Sequence, residues 1–272
     1  MAIQKKKPII GIFGLSSDEG CVFPILDQGE KFLELLEEVE LGECRLMEDL
    51  PEAEHFDVAL VEGSVLTKEN IAKLKWIRAH SAILVALGAC AVIGGIPELK
   101  NYSDKDRAVA KVYKNVAGID NLEVKPLRAY VKVDFEIPGC PADGEEVIRL
   151  LYDLKEGKIP KLEPRPVCYE CQLRETECLL QPNSQTGRKA QPCMGPITQA
   201  GCNAPCPAAG YPCDGCRGVL AEAEFDSFEK AIQGMIPEEE KKLMFEHYGN
   251  QDEIARIKKT RLAQNPGGGK SS

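Results

Sequence analysis

The chain has 272 residues, enough for one well-buried core and a smaller second module. Its 34 Lys and Arg residues against 43 Asp and Glu residues give a net charge of -9, which disfavours nucleic acid and anionic membranes as partners. The first apolar stretch is too short for a secretory signal, and no apolar run approaches the roughly 18 residues of a membrane span. We therefore expect a cytoplasmic protein with no membrane span, whose partners are proteins and small molecules.

The first part of the chain alternates short apolar runs rich in β-branched residues with segments of helical periodicity. Residues 24–40 and 66–80 space their apolar residues three and four apart, as surface helices do. The predicted strands are 8–14, 43–48, 57–63, 82–89 and 130–138. Strands and helices in alternation predict an α/β fold with a parallel sheet that is covered on both faces.

The character of the sequence changes near residue 160, where "PKLEPRP" places three prolines close together. No strand-like run follows for about fifty residues, so we predict a domain boundary there. Residues 1–160 are expected to form the sheet domain, and residues 161–264 a loop-rich domain with short helices at its carboxyl end. The last residues, 265–272, are predicted to be a disordered tail.

Eight of the twelve cysteines lie in the second domain, in two sets of four that each contain a C-x2-C pair. Each set supplies the four thiolates that hold either a zinc ion or a cubane iron–sulfur cluster. A disulfide framework is a further alternative, although clustered thiols in a reducing compartment more often bind metal. The segment has few large apolar residues, so bound metal is expected to hold it together. The first set is Cys168, Cys171, Cys178 and Cys193, and the second is Cys202, Cys206, Cys213 and Cys216.

Three further cysteines follow predicted strands of the first domain: Cys21, Cys90 and Cys140. Each has a glycine one or two residues before it, which lets the backbone approach a bulky inorganic core. Ligands of an open parallel sheet lie outside the carboxyl ends of its strands. The three thiols therefore predict a third cluster at this edge that lacks one ligand. Cys44 is expected at the start of the second strand, at the opposite edge, as a buried thiol.

Five segments carry a recognisable pattern: "FDVALVEGSV", "ALGACAVIGGIP", "IPGCP", "PCMGPITQAGCNAPCP" and "PCDGC". Together they resemble the small, electron-transferring subunit of nickel-iron hydrogenases. They are most similar to the cytoplasmic members, which include the sulfhydrogenase delta subunit and the hydrogenases that serve heterodisulfide reductase. The resemblance implies a flavodoxin-like domain that carries the cluster nearest the nickel site, followed by a module with two further 4Fe-4S clusters.

The resemblance also implies which thiols hold which cluster. Cys21, Cys90 and Cys140 match the family's proximal ligands and are called the proximal set below. The cysteines at 202, 213 and 216 match the medial ligands and form the medial set together with Cys206. Those at 168, 171, 178 and 193 match the distal ligands (the distal set). Cys206 stands where periplasmic members have no cysteine, so a full medial cubane is expected. Many relatives have a histidine in place of Cys168, so an all-thiolate distal cluster is expected.

Two acidic residues accompany the proximal set. Asp18 stands where the family's usual C-x-x-C opening has its first cysteine, and a carboxylate is a harder ligand that still binds iron. We predict Asp18 as the fourth proximal ligand; the alternatives are closure by water or Glu19, a three-iron cluster, or a lost cluster. Glu62 lies at the end of the third predicted strand. It is predicted to be either a proton-handling or hydrogen-bonding group beside this cluster, or a loop carboxylate that accepts backbone amides.

The function that the resemblance implies is an electron-relay subunit of a soluble nickel-iron hydrogenase, with no nickel site or catalytic residue on this chain. The implied partners are the large subunit, which carries the nickel-iron centre, and a further flavin or iron–sulfur subunit. Asp18 leaves open an electron-transfer complex that lacks hydrogenase activity. A zinc-stapled interaction module is a second alternative. The small subunit of respiratory complex I is also similar, but it pairs adjacent cysteines and lacks the eight-cysteine module.

Overall fold

A computed structural model of the chain describes residues 6–47, 50, 53–162 and 164–264. The chain divides into two compact units between Lys161 and Leu162. The first unit contains a five-stranded sheet in which all paired strands are parallel, so the predicted α/β fold is confirmed. Its strands are β1 (Ile9–Gly14), β2 (Glu40–Cys44), β3 (Phe56–Glu62), β4 (Ser81–Leu87) and β5 (Phe135–Ile137).

Helices lie between β1 and β2, between β3 and β4, and between β4 and β5, and one follows β5. They are α1 (Phe23–Leu26), α2 (Glu30–Glu38), α3 (Lys68–Ala79), α4 (Gly88–Ile93), α5 (Lys105–Val112) and α6 (Gly144–Lys155), with short 3-10 helices at Ile96–Tyr102 and Leu127–Ala129. Helix α3 begins within two residues of its predicted start. Thr67 and Asn70 form a capping box there, in which the Thr67 hydroxyl accepts from the Asn70 N–H and the Asn70 side-chain oxygen accepts from the Thr67 N–H. The central strands β3 and β4 contain the uninterrupted apolar runs 58–61 and 82–87, as strands buried on both faces do.

The strand order is β2-β1-β3-β4-β5, which is the flavodoxin-like order, so that predicted topology is also confirmed. The register pairs Gly14 with Glu62, Glu62 with Leu87, and Leu87 with Ile137. Four strands therefore end in one row. The loops that follow them start from the same edge of the sheet, next to the switch point between β1 and β3 where ligands of such folds bind.

Three local expectations were wrong. Strand β2 covers 40–44 rather than 43–48, because a turn begins at Arg45; residue 48 lies outside the described residues. This places Cys44 at the carboxyl end of its strand, not at the opposite edge, although its predicted burial is confirmed at 2% exposure. The helical segment 24–40 is split into α1 and α2 at Gly29, whose φ is +56°. Strand β5 has three residues instead of the predicted 130–138.

The second unit, in its described part, consists of loops and short helices. A core of its own packs Met194 and Ile197 against apolar residues of the carboxyl-terminal helices, such as Phe228 and Ile257. A second, smaller core is made largely of thiol-bearing residues, including Cys193 and Cys213. The helices are α7 (Val167–Leu173), α8 (Pro205–Ala208), α9 (Phe225–Ala231), α10 (Glu238–Glu246) and α11 (Asn250–Gln264).

Residues 265–272, which the sequence predicts to be a disordered tail, lie outside the described residues. Within the described ranges, none of the helices has the length and apolar character needed to cross a membrane.

Candidate metal centres

The loops that follow β1, β4 and β5 converge at the carboxyl edge of the sheet. The backbone of Ala142 hydrogen-bonds the Cys21 thiol. A Cβ atom added to Gly88 would lie only 2.4 Å from the Cys21 Sγ atom. The Ala89 N–H donates to the Gly139 oxygen at 2.6 Å. These contacts join the three loops directly and bring the three thiols of the proximal set to one place.

Burial and mutual repulsion both act on these thiols. Burial raises the pKa of the Cys21 thiol to about 12, and the charges of Cys90 and Cys140 add to this rise. Burial likewise raises the pKa of Cys90 to about 11, and the Cys140 charge adds to it. Three thiolates so close together need a compensating positive charge. Metal supplies that charge when the ligands deprotonate, so the site favours metal binding over three free thiolates.

Glu62 holds the Cys21 loop. Its side chain is 1% exposed. Its Oε1 accepts a hydrogen bond from the Ser17 hydroxyl at 2.9 Å, and its Oε2 accepts one from the Cys21 backbone N–H at 3.1 Å. Burial raises the pKa of Glu62, and these hydrogen bonds partly offset the rise. A contact with a backbone amide is one of the two roles predicted for this residue, and here the amide belongs to a predicted ligand.

Asp18 is exposed, and its charge acts on the proximal site. Its charge raises the pKa of Cys90 and of Glu62, in each case after the larger effect of burial. Its Oδ1 accepts a hydrogen bond from the Gly20 N–H at 2.9 Å, which closes a tight turn. Glu19, by contrast, pairs with Arg45 at 3.0 Å. Asp18 is therefore better placed than Glu19 to complete the proximal set.

Glycines keep side chains away from the proximal thiols. Gly88 has φ +83° and Gly95 has φ +63°, conformations that other residues rarely adopt. A Cβ atom on Gly95 would lie 2.8 Å from the Cys90 backbone nitrogen and 3.0 Å from its Sγ atom. The space beside the thiols is thus free for an inorganic core. Gly95 was not predicted as part of the site, although the "GGIP" segment after Cys90 was a visible signal.

The structure brings the whole distal set together. Cys168 and Cys171 lie one turn apart on α7. Burial raises the pKa of the Cys168 thiol to about 12, and the charges of Cys193, Cys171 and Cys178 all add to the rise. Gly195 again leaves room, since a Cβ atom there would lie 3.3 Å from the Cys168 Sγ atom and 3.5 Å from the Cys193 Sγ atom.

Three members of the medial set are close to one another, and the fourth lies beside their loop. The Cys216 charge acts on both Cys202 and Cys213, whose pKa values are raised chiefly by burial. Cys213 is 8% exposed. Cys206 is on α8, exposed, and its pKa is raised by burial and then by Asp214, which lies inside the C-x2-C loop. The prediction that all four thiols share one cluster stays a prediction.

The distal and medial sets adjoin each other within the second unit. The Cys213 backbone N–H donates to the Cys193 Sγ atom at 3.2 Å. Glu170, between the two cysteines of α7, has its Oε2 atom 3.8 Å from the Cys202 Sγ atom. Each contact joins one set to the other. Two redox centres held at these sets would therefore be near neighbours.

A single metal ion and a cluster require different spacing of their thiolate ligands. Among the described residues, no group of three or more His, Cys, Asp or Glu side chains is arranged to hold one metal ion. Thiolates around one zinc lie about 4 Å apart, because Zn–S bonds are about 2.3 Å long. The ligands of a cubane stand further apart, because several irons lie between them. Thiolate ligands around glycine-lined space are the chemistry that iron–sulfur clusters use.

Known proteins resemble the chain over both units. The family described as NADH ubiquinone oxidoreductase, 20 Kd subunit, matches residues 19–154. The sulfhydrogenase 2 subunit delta of Pyrococcus furiosus is 38% identical over 85% of this chain and 94% of its own length. A vhu-type F420-non-reducing hydrogenase subunit of Methanocaldococcus jannaschii is 34% identical over 77% of this chain and 81% of its own. One chain in a crystal structure of NAD+-reducing NiFe-hydrogenase in the H2-reduced state matches 58% of this chain and 96% of its own length. Its sequence is 31% identical, and the TM-score is 0.52.

The matched family covers only the first unit, whereas the hydrogenase subunits of Pyrococcus and Methanocaldococcus extend over most of the chain. Hydrogenases are oxidoreductases whose small subunits pair with a large subunit, and the nickel-iron site belongs to that large subunit. The small subunits carry iron–sulfur clusters, in agreement with the thiol sets above. The resemblance predicted from the sequence is therefore confirmed: the chain belongs to the electron-transferring small-subunit family of nickel-iron hydrogenases, together with the sulfhydrogenase delta subunit and its F420-non-reducing hydrogenase counterpart.

Proposed function

We propose that this chain is the electron-relay subunit of a soluble nickel-iron hydrogenase complex and holds three 4Fe-4S clusters, one at each thiol set. The convergence of three strand-end loops around Cys21, with glycines beside the thiols, is the observation that carries the proposal. Bound clusters would supply one-electron transfer at iron, linking a nickel-iron centre on the large subunit to a further flavin or iron–sulfur subunit. We place the complex in the cytoplasm, where reducing conditions keep such thiols available.

The residues of the proximal site have distinct roles in this proposal. The three thiols and Asp18 would hold the cluster. Glu62 positions the Cys21 backbone, and the Ser64 hydroxyl donates to the Cys90 oxygen at 3.4 Å. Both anchor residues belong to β3 or the turn that follows it, so the sheet itself orients the ligand loops. The site would therefore keep its shape when the cluster is absent.

The test is an anaerobic purification of the complex with its native partners, followed by iron, sulfide and nickel analysis. We expect at least about twelve irons and twelve sulfides per copy of this chain, since each cubane contains four of each. We also expect nickel in the complex and hydrogen uptake with an artificial dye. Colourless protein that contains zinc in place of iron would reject the proposal and support the zinc-stapled alternative.

A related complex without hydrogenase activity is the second candidate function. The observation that favours it is Asp18, which stands where the family has a cysteine. Both candidates predict the same iron and sulfide content. A preparation with full iron but no nickel and no hydrogen uptake would establish the second candidate and exclude the first.

Asp18 is tested by substitutions that change its ligand character. We expect Asp18→Cys to keep four irons at the proximal set with an altered electron paramagnetic resonance (EPR) spectrum, because thiolate replaces carboxylate. We expect Asp18→Asn to lose one iron or the whole proximal cluster. Glu19→Gln is the matched control and should leave both measurements unchanged, since Glu19 pairs with Arg45. Unchanged iron and an unchanged spectrum in Asp18→Asn would exclude Asp18 as a ligand.

A further inference from the structure

A buried cation lies beside the medial set. Arg217 follows Cys216 in the sequence and is only 2% exposed. Its Nε donates to the backbone oxygens of Gln199, at 3.2 Å, and Ala200, at 3.0 Å, in the segment that leads into Cys202. A guanidinium is not deprotonated in proteins. Arg217 thus joins the two ends of the medial set and places a permanent positive charge there, where water screens it little.

A carboxylate contacts the same set. The Oε1 atom of Glu170 accepts a hydrogen bond from the Gly201 N–H at 2.8 Å, and its Oε2 atom lies 3.8 Å from the Cys202 Sγ atom. Burial raises the pKa of the Cys202 thiol to about 12; Glu170 adds to that rise and Arg217 opposes it. Two fixed charges of opposite sign therefore act on one predicted ligand.

We propose that Arg217 raises, and Glu170 lowers, the reduction potential of the cluster held by the medial set, an inference that rests on the proposed iron–sulfur relay. Reduction adds one negative charge to a cluster. A buried cation nearby stabilises the reduced form, and a nearby carboxylate destabilises it. Neither residue is a cluster ligand; both act by their charge. Because Glu170 also lies between the distal ligands Cys168 and Cys171, the two charges set how electrons distribute between neighbouring centres.

The experiment is a redox titration of the purified complex, followed by EPR, with iron and sulfide measured on the same samples. We compare the wild type with Arg217→Gln, Arg217→Lys and Glu170→Gln. Arg256→Gln removes a charge from an exposed position on α11 and is the matched control. A Cys206→Ser variant identifies the medial component, because exchanging one of its predicted ligands alters that component's spectrum alone.

We expect Arg217→Gln to lower the reduction potential of the medial component by at least about 59 mV, which is a tenfold change in the equilibrium constant of a one-electron reduction. Glu170→Gln should shift the same component upward. Arg217→Lys should keep most of the wild-type value because it keeps the charge, and Arg256→Gln should leave it unchanged. Shifts of the same sign, or no shift, in fully loaded Arg217→Gln and Glu170→Gln would overturn the proposal.

If Arg217→Gln loses iron, its potential cannot be measured, and two milder variants test the proposal instead. Arg217→Lys keeps the charge, and Glu170→Gln keeps an acceptor for the Gly201 amide. In that case a rise in Glu170→Gln together with a wild-type value in Arg217→Lys supports the proposal, and an unchanged Glu170→Gln overturns it. Absence of clusters from the wild type is a different result, because it rejects the iron–sulfur relay itself.

Discussion

The two units place their thiols in opposite ways. In the first unit the thiols follow strands of a sheet whose core contains fully buried side chains such as Leu60 and Leu84. In the second unit the thiol-bearing residues Cys193 and Cys213 are themselves part of a small core. A site on a sheet that has its own apolar core needs metal only for its chemistry, whereas a core made of thiols needs metal for its structure as well. The difference predicts that metal loss affects the two units unequally.

Metal removal should have the largest effect. We expect anaerobic chelation to expose the cysteine segment 164–216, with hydrogen-exchange protection reduced on the order of 100-fold, which is about 3 kcal/mol. The reason is that metal-binding free energy is folding free energy where the ligands form the core. Strands β3 and β4 should keep their protection. Hydrogen exchange read peptide by peptide measures this, and an equal loss in the sheet would contradict the comparison.

Gly88→Ala should remove the proximal cluster and leave the sheet folded. A Cβ atom there would lie 2.4 Å from the Cys21 Sγ atom, in a backbone conformation with φ +83°. We expect about one third of the iron to be lost, since one of three four-iron clusters goes. Gly118→Ala is the matched control: its φ is +84°, but nothing lies within 4 Å of the added atom. It should keep all its iron, and equal iron loss in both variants would show that backbone strain, not contact with the thiol, is the cause.

Asn250→Ala should weaken the second unit without affecting the first. Asn250 is fully buried, and its Nδ2 donates to the oxygen of Gly215, inside the medial C-x2-C loop, at 3.2 Å. Leaving that oxygen without its donor should cost about 1–3 kcal/mol. The loss of visible absorbance during urea titration measures the stability of the second unit. The control is Gln251→Ala, which changes the exposed neighbouring residue. If the first unit, followed by the fluorescence of its Trp76, were destabilised equally, the units would not be independent.

Asp134→Asn should have the smallest effect and act on the first unit alone. Burial by itself would raise the pKa of Asp134, but hydrogen bonds from Lys132, Leu84 and Arg78 outweigh it and the pKa is lowered. Stability from such a carboxylate is present above the ordinary carboxyl pKa and is lost as the pH falls through the lowered one.

The variant should therefore be about 1–2 kcal/mol less stable than the wild type at pH 7, and the difference should shrink below about pH 4. Urea unfolding followed by Trp76 fluorescence measures both values. Glu145→Gln, which removes an exposed ion pair with Lys31, is the control and should change nothing measurable. A difference that stays constant from pH 7 to pH 3 would show that the ionised carboxylate is not the cause.

Much of the architecture was predictable because local sequence patterns determine it. Apolar runs of β-branched residues located β1, β3 and β4 to within two residues, and the helical periodicity of residues 66–80 located α3 equally well. Predictions were wrong where the sequence shows little contrast between buried and exposed positions. The predicted β2 began three residues too late, which put Cys44 at the wrong edge of the sheet, and the predicted β5 was three times too long. Short strands at the sheet's margins take their limits from their neighbours rather than from their own composition.

Local sequence was enough to specify the parallel sheet and the edge at which the thiols of the proximal set gather, because periodicity and the positions of strand ends are local properties. Folding was needed to establish that Glu62 holds the Cys21 amide, that Gly95 clears the space beside Cys90, and that opposite charges from Arg217 and Glu170 meet at one set. These contacts join residues far apart in the chain. Such partners are selected by packing and by the need to satisfy buried polar groups, which no single segment of sequence specifies.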